Sequence, residues 1–390
     1  MKVLHVIPSI SSKRGGPSKA IFDMVKALRS EGVDASILST NDNSMYREEK
    51  FVENEWFIHL DVPVLLLPCL DSKFRIVREF LFSSSLTYWL LSNIRNYDLI
   101  HVHAIFSYPS TIAMIIARLY KKPYIIRTIG QLSKWSLSQS KFRKKLMLTL
   151  IERSNLSNAV AIHVTSNSEQ EEIFSLNLKC RVLLLGLGVE FNEDSDDIVK
   201  KTPNESVRFL FLSRLHPKKR LEVLMNALAC LQSYYNQRNW YLYIAGDGEQ
   251  DYVLKLKRIA NELGIANRVV WMGHITGQIK ENLLKSVDWY VLPSASENFA
   301  ISAVEAMAAG VPVIITESVG VSDMVQKHRA GIITGSNSDE LSQALYQAMN
   351  GPPLAMKRAS RQLVKEHYLW SNVGKQLSAF YSKVLYQFSL

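Results

Sequence analysis

Residues 294–314, SASENFAISAVEAMAAGVPVI, read as loop, helix, glycine stop and strand. A strand-like run, Trp289–Leu292, leads into them, and Val313–Thr316 closes the unit. Ile301 to Ala309 forms the helical stretch, and Gly310 sits just beyond it, where a left-handed residue ends a helix without a Cβ penalty. Strand, helix and strand in this spacing make one unit of a parallel sheet.

The same rhythm extends in both directions. Upstream, Val3–Ile7, Ala35–Leu38, Leu99–His103, Tyr124–Ile126, Ala161–Thr165 and Arg181–Leu185 are short β-branched runs separated by helical stretches such as Ser18–Ser30. A second series follows in Val207–Leu212, Tyr241–Ala245, Val269–Met272, Trp289–Leu292 and Val313–Thr316. Alternation of this kind predicts parallel sheets covered by helices on both faces. The chain has 390 residues, more than one core usually sustains, so two such domains are expected. The boundaries read as residues 1–188 for an N-terminal Rossmann-like domain and 189–206 for an acidic linker. Residues 207–368 then form a second Rossmann-like domain, and 369–390 an amphipathic helix expected to return to the first. Two doubly wound domains of this sort place the carboxyl ends of their strands around a shared cleft, so the residues that follow each strand are the ones to inspect.

Composition limits the alternatives. The three cysteines, Cys69, Cys180 and Cys230, are scattered, with neither disulfide nor zinc spacing, and fit a reducing cytoplasm. The opening MKVLHVIPSI is too short an apolar run for a secretory signal, and no segment approaches the roughly 20 apolar residues of a membrane span. A net charge of +10 calls for an anionic partner or a solvated basic face. Ser133–Lys145 holds Lys134, Lys141, Arg143, Lys144 and Lys145 and no acid, and Lys73, Arg75 and Arg78 open a stretch rich in Phe, Leu and Trp. A peripheral contact with anionic lipid at the inner face of the plasma membrane and a plain solvated surface both fit this pattern. No nucleic-acid-reading motif accompanies it.

The chemistry gathers after the strands. The helix beginning at Ile301 offers first-turn amides without internal partners and a partial positive charge, which suits a phosphate or an oxygen-rich sugar. Glu297 in the loop before it and Glu305 within it can each accept hydroxyl hydrogen bonds from a polyol. Arg214 and Lys219 follow the first strand of the second domain, where two cations can neutralise a diphosphate leaving group; Lys218 competes with Lys219 for that place. Gly15 and Gly16 open a helix after the first strand, and a glycine loop there lets amides approach a phosphate. Gly246-Asp-Gly248 follows another strand, without completing a dinucleotide fingerprint, which argues against a dehydrogenase. His101 and His103 share one strand face; a metal would need further ligands, a satisfied buried imidazole is the plain alternative, and His103 is the one placed to meet a sugar. Asp194-Ser-Asp196 has the spacing of a metal–diphosphate motif, yet it lies in the linker and reads as solvated charge.

The E-x7-E spacing followed by A-M-A-x-G-x-P-V-I resembles the signature of retaining GT-B glycosyltransferases of family GT4, and the likeness extends over nearly the whole chain. That resemblance implies a GT-B fold, two Rossmann-like domains facing a cleft with the last helix crossing back, and transfer of a hexose from a nucleotide sugar. UDP-glucose is the leading donor, and a glycan or lipid-linked glycan in cell-surface polysaccharide synthesis the acceptor. By the same resemblance Glu305 holds the donor ribose, and Glu297 holds the sugar and serves with Arg214 and Lys219 as the catalytic set. Asn298, the amides of Phe299, Ala300 and Ile301, and Gly15, Gly16, His103, Gly246, His274 and Ile275 line the donor. No metal or other cofactor is implied. One position departs from the pattern: members carry His-Gly after the strand that ends near Arg127, and here Ile129 precedes Gly130. Two other readings remain, a GT-B isomerase acting on a UDP-sugar and a nucleotide-sugar sensor without catalysis.

Overall fold

A computed structural model describes residues 1–11, 15–42, 53–70, 74–139, 141–191, 206–234 and 239–389. The chain divides into two compact units, Met1–Gly188 with Trp370–Leu390, and Val189–Leu369. The acidic Asp194-Ser-Asp196 and most of the expected linker lie outside the described residues.

The first unit is built on one sheet of β1 (Lys2–Ser9), β2 (Asp34–Thr40), β3 (Trp56–His59), β4 (Val62–Leu67), β5 (Leu99–His103), β6 (Tyr124–Arg127), β7 (Ala161–Val164) and β8 (Val182–Leu184). Their spatial order is β3-β4-β2-β1-β5-β6-β7-β8, parallel throughout except for the antiparallel β3–β4 pair at one edge. The second unit carries β9 (Val207–Leu212), β10 (Trp240–Ala245), β11 (Val269–Gly273), β12 (Trp289–Leu292), β13 (Val313–Thr316) and β14 (Gly331–Thr334), all parallel, in the order β11-β10-β9-β12-β13-β14. In each sheet the winding reverses beside the first strand, between β1 and β5 and between β9 and β12. Ligands of doubly wound sheets bind outside the carboxyl ends at such a reversal.

Three strands fall outside the expected series. β3 and β4 are joined through Leu60 and Asp61, both left-handed at φ 50° and 62°. A tight turn made without glycine leaves no turn signal in the sequence. β14 is a short edge strand whose first residue, Gly331, lies so close to β13 that a Cβ would strike the Val313 carbonyl. The helix Gly16–Ser30 opens two residues before the expected start, because Pro17 in its first turn is pre-set for helical φ.

The faces of the first sheet differ in kind. Leu4, Val6, Ile100, Val102, Ile126 and Ile162 form an apolar core on one side. The alternate residues, His5, His101, His103, Arg127 and His163, share the other side through the registers His5↔His101, His103↔Arg127 and Arg127↔His163. The C-terminal helix Trp370–Ser389 belongs to this unit. Gly374 lets it lie directly on the Ala27 backbone of Gly16–Ser30, and Tyr381 reaches the sheet, its hydroxyl 2.6 Å from His101 Nδ1. Among the described residues no helix is long and apolar enough to cross a membrane.

Candidate functional site

In the second unit, the loops leaving β9, β10, β12 and β13 are tied to one another by backbone hydrogen bonds. Ser213 N–H donates to Ala245 O at 3.0 Å, Leu215 N–H to Asp247 O at 2.7 Å, and Gly246 N–H to Gly273 O at 2.7 Å. Gly246 sits at φ 140° with the Ser213 carbonyl pressed against it, so no Cβ fits, and Gly248 is pressed in the same way by Leu215. The glycines therefore permit close backbone approach and hold the loop that bears Arg214.

Arg214 is exposed, and among the described residues its guanidinium makes no hydrogen bond or ion pair. Two residues on, burial and then the neighbouring Arg214 and Lys218 charges hold the His216 pKa below its ordinary value. Its Nδ1 accepts the Lys218 N–H at 3.1 Å and so opens the short 3₁₀ turn Pro217–Lys219. That turn aims Lys219 at Glu297: the ammonium and the carboxylate pair directly, with side chains only 15% and 20% exposed. Lys219 is thus the lysine turned toward the acidic loop.

The Glu297 loop is fixed on both sides. Ala295 N–H donates to Lys218 O at 2.9 Å, Glu297 N–H to Ser318 O at 2.9 Å, and Gly320 N–H to Glu297 O at 2.8 Å. Thr316 Oγ1 donates to Ser294 O at 2.7 Å. Ala300 then takes a left-handed conformation, φ 70°, and the helix Ile301–Ala308 begins with no side chain capping it. The first backbone bond to Ala300 O comes from Ala303 at 3.0 Å, so the Ile301 and Ser302 amides precede the helical ladder. Beneath this start, the Tyr290 hydroxyl lies 2.7 Å from Ser302 Oγ. Phe299 is buried edge-on against Tyr368, which leaves its backbone for any ligand role.

Glu305 lies within the helix, 2.8 Å from Lys280 Nζ on the helix Gly277–Ser286. Both side chains are about as buried as the Lys219–Glu297 pair. Lys280 has no place in the sequence motifs, since the pairing joins two separate helices. Of the remaining residues in this unit, Asn298 is half-buried, His274 is exposed and Ile275 is buried. The assembled groups can do two things. Two carboxylates held by ammonium groups can accept hydroxyl hydrogen bonds, and Arg214 with the uncapped amides can meet a phosphate. An anionic ligand would compete with Glu297 for Lys219.

The first unit is arranged differently. Gly15, left-handed at φ 81°, and Gly16 open the first helix as the loop pattern requires, although residues 12–14 lie outside the described residues. His103, expected to meet a sugar, lies in the sheet face. It is fully buried, and its Nε2 lies 3.0 Å from His5 Nδ1. The parallel register stacks it inside the sheet face rather than beyond the strand end. His5 supplies the third imidazole that His101 and His103 lack in sequence, and their ring nitrogens lie within 4.8 Å of one another. Arg127 is buried in the same cluster, and its guanidinium makes a second cation there costly. Burial first, then neighbouring imidazoles and Arg127, hold all three histidines neutral well below their ordinary pKa.

After β6, Ile129 and Gly130 are both left-handed, φ 53° and 66°, and strain of this kind at a β-branched residue needs external support. Glu169, buried, provides it. Its Oε1 accepts from Thr128 Oγ1 at 2.6 Å and Gly130 N–H at 2.8 Å, and its Oε2 accepts from Thr165 N–H at 2.9 Å. The Gln131 amide oxygen accepts the Ile105 N–H at 2.6 Å, linking this loop to the one after β5. No imidazole stands at the Ile129 position.

Residues 15–188 match the family described as glycosyl transferase 4-like domain, and residues 192–363 match glycosyl transferases group 1. The chain belongs to the GT4-type glycosyltransferases of the GT-B fold. Several relatives support this at low identity. A GDP-mannose:cellobiosyl-diphosphopolyprenol alpha-mannosyltransferase of Komagataeibacter xylinus is 24% identical, over 99% of this chain and 94% of its own. An uncharacterised glycosyltransferase of Methanocaldococcus jannaschii is 32% identical, but over only 43% of this chain and 42% of its own length. Among solved structures, the fold is shared with sucrose-phosphate synthase of Thermosynechococcus elongatus, at a TM-score of 0.74, 17% identity and 99% coverage of both chains. It is also shared with Anabaena HepE in complex with UDP-glucose, at 0.72, 18% identity, and 98% and 100% coverage. In this glycosyltransferase the charged groups that the motifs single out therefore gather in the second unit.

Proposed function

We propose that this glycosyltransferase transfers a hexose, with retention, from UDP-glucose to a glycan or lipid-linked glycan in cell-surface polysaccharide synthesis, at the cytoplasmic face of the membrane and without a metal. The observation that carries the reading is the pairing of Lys219 with Glu297 and of Lys280 with Glu305 beside the uncapped helix start. In this account Glu305 takes the ribose hydroxyls, Glu297 the hydroxyls of the sugar, and the Ile301 and Ser302 amides face the diphosphate. As the bond from the sugar's anomeric carbon to the phosphate breaks, Arg214 and Lys219 stabilise the charge on the departing nucleotide. The acceptor hydroxyl attacks from the same face and passes its proton to the donor phosphate oxygen. The products are the nucleoside diphosphate and the lengthened glycan.

A GDP-mannose donor is the second reading. It is favoured by the Komagataeibacter xylinus mannosyltransferase, whose similarity runs over 99% of this chain. A thermal-shift panel of UDP, GDP, ADP and their glucose and mannose conjugates, with and without EDTA, separates the two. Ligands far above their dissociation constant should raise stability by about 3 kcal/mol. A shift with UDP and UDP-glucose that survives EDTA supports the first reading, and a shift confined to the guanine nucleotides supports the second. No shift with any nucleotide sinks both.

A further inference from the structure

In the second unit, the last turns of the helices Ser322–His328 and Leu354–His367 bring His328, Glu366 and His367 together. Each offers one ligand atom, a ring nitrogen or a carboxylate oxygen, and the three atoms lie within 4.8 Å of one another. Glu366 Oε2 stands 3.9 Å from His328 Nδ1 and 3.7 Å from His367 Nε2, too far for hydrogen bonds. Among the described residues neither imidazole makes a hydrogen bond, and His328 Nε2 is buried. The carboxylate is oriented from its other side: Gln362 Nε2 donates to Glu366 Oε1 at 2.6 Å, which leaves Oε2 for the imidazoles. The two helices are fixed to each other as well. Ala330 N–H donates to Val325 O at 3.0 Å and closes the first helix, and Ser360 Oγ on the second donates to Ala330 O at 2.8 Å. The three groups are therefore held by their elements and not by bonds among themselves.

Groups that converge at this spacing leave room for an ion between them. Ligand atoms around a tetrahedral zinc stand about 3.4 Å apart, so side-chain movements of about an ångström close the set. The side chains of His328, Glu366 and His367 are 19%, 44% and 40% exposed, which lets an ion enter from solvent and water complete its shell. Charge favours a cation. Glu366 supplies a full negative charge, and His367 ends a helix whose last carbonyls carry a partial one. The His5, His101 and His103 triad of the first unit has similar spacing, but the buried Arg127 beside it opposes a further cation. We propose that His328, Glu366 and His367 bind a first-row divalent transition ion such as zinc, through two imidazoles and one carboxylate. The ion ties the last turns of the two helices together. It uses no residue of the donor site and takes no part in sugar transfer, so this reading and the donor reading fail separately.

The test is isothermal titration of zinc chloride into the full chain after EDTA treatment and dialysis. One ion should bind per chain, in about the micromolar range or tighter. His328→Gln, Glu366→Gln and His367→Gln should each weaken binding by at least about tenfold. Cobalt(II) in place of zinc should give visible absorption bands of a low-symmetry site, and these should be lost in His367→Gln. Circular dichroism melting of the metal-free variants should match that of the metal-free parent, which shows that they remain folded. No saturable zinc binding overturns the proposal. So does parental affinity in any one of the three variants; if all three keep it, the ion sits elsewhere, for example at the buried triad of the first unit. One ion for every two chains, with a zinc-dependent dimer in analytical ultracentrifugation, also overturns it, since the ion would then join two copies.

Discussion

The sheets of the two units share a winding, β4-β2-β1-β5-β6-β7 in one and β11-β10-β9-β12-β13-β14 in the other, and differ in where they place polar groups. In the second unit, ionic groups stand outside the sheet, in the loops as Arg214 and the Lys219–Glu297 pair and on two helices as the Lys280–Glu305 pair. In the first unit they lie within the sheet face, as four buried imidazoles and one guanidinium, and Tyr381 of the last helix bonds to one of them. Charge beyond the strand ends can meet a ligand, whereas imidazoles within the sheet are held neutral and bind the unit to its own C-terminal helix. One topology thus carries ionic groups outside the sheet in one unit and a buried polar layer within the sheet face in the other.

That contrast can be broken most severely at Gly246. Gly246→Ala places a methyl against the Ser213 carbonyl at a φ that side chains avoid. The second unit should lose about 3 kcal/mol or more, with donor binding lost alongside. Limited proteolysis mapped to each unit reads this directly, and a variant as stable as the parent would mean that the loop is not held as described. Next in size, Arg214→Ala should lower kcat more than tenfold with little change in melting temperature, because the side chain is exposed and supports nothing. Steady-state kinetics would expose the error if turnover stayed at the parental rate.

Acid should sharpen the difference between the units. His5 and His163 are each pushed down to about 3 from 6.5, chiefly by burial. Their folded forms stay neutral while the unfolded chain takes up protons. Stability from this cluster is therefore complete above about pH 6.5 and falls as pH drops from 6.5 toward 3. The loss is about 1.4 kcal/mol per pH unit for each histidine that remains neutral. Hydrogen exchange at mildly acid pH should find β1 and β5 opening before β9 and β12; the reverse order would contradict the assignment.

Much of the architecture is legible in the sequence because buried parallel strands are near-continuous apolar runs. Leu99–His103, Val207–Leu212, Trp289–Leu292 and Val313–Thr316 fall at the bounds expected for them. Edge strands β3 and β14 are half-exposed and carry a weaker pattern. In the site, Glu297, Glu305, Arg214 and Lys219 stand out because their spacing is local. Lys280 does not, since its partner is 25 residues away on another helix. The role of His5 depends on the register of β1 against β5, which a single sequence does not display, and it is this neighbour that pairs with the buried His103. Glu169 did leave a signal. Ser166-x-x-Glu169 is a capping-box pattern, and Ser166 Oγ does cap the helix, but the carboxylate turns to the loop after β6.

In the proposed function the second unit holds a nucleotide sugar through Glu305. Isothermal titration of UDP-glucose and GDP-mannose into the parent and into Glu305→Ala measures that contact. One donor should bind the parent in roughly the micromolar range and lose about tenfold or more in the variant, since an ionised acceptor of ribose hydroxyls is removed. Equal affinity for that donor in parent and variant would contradict it.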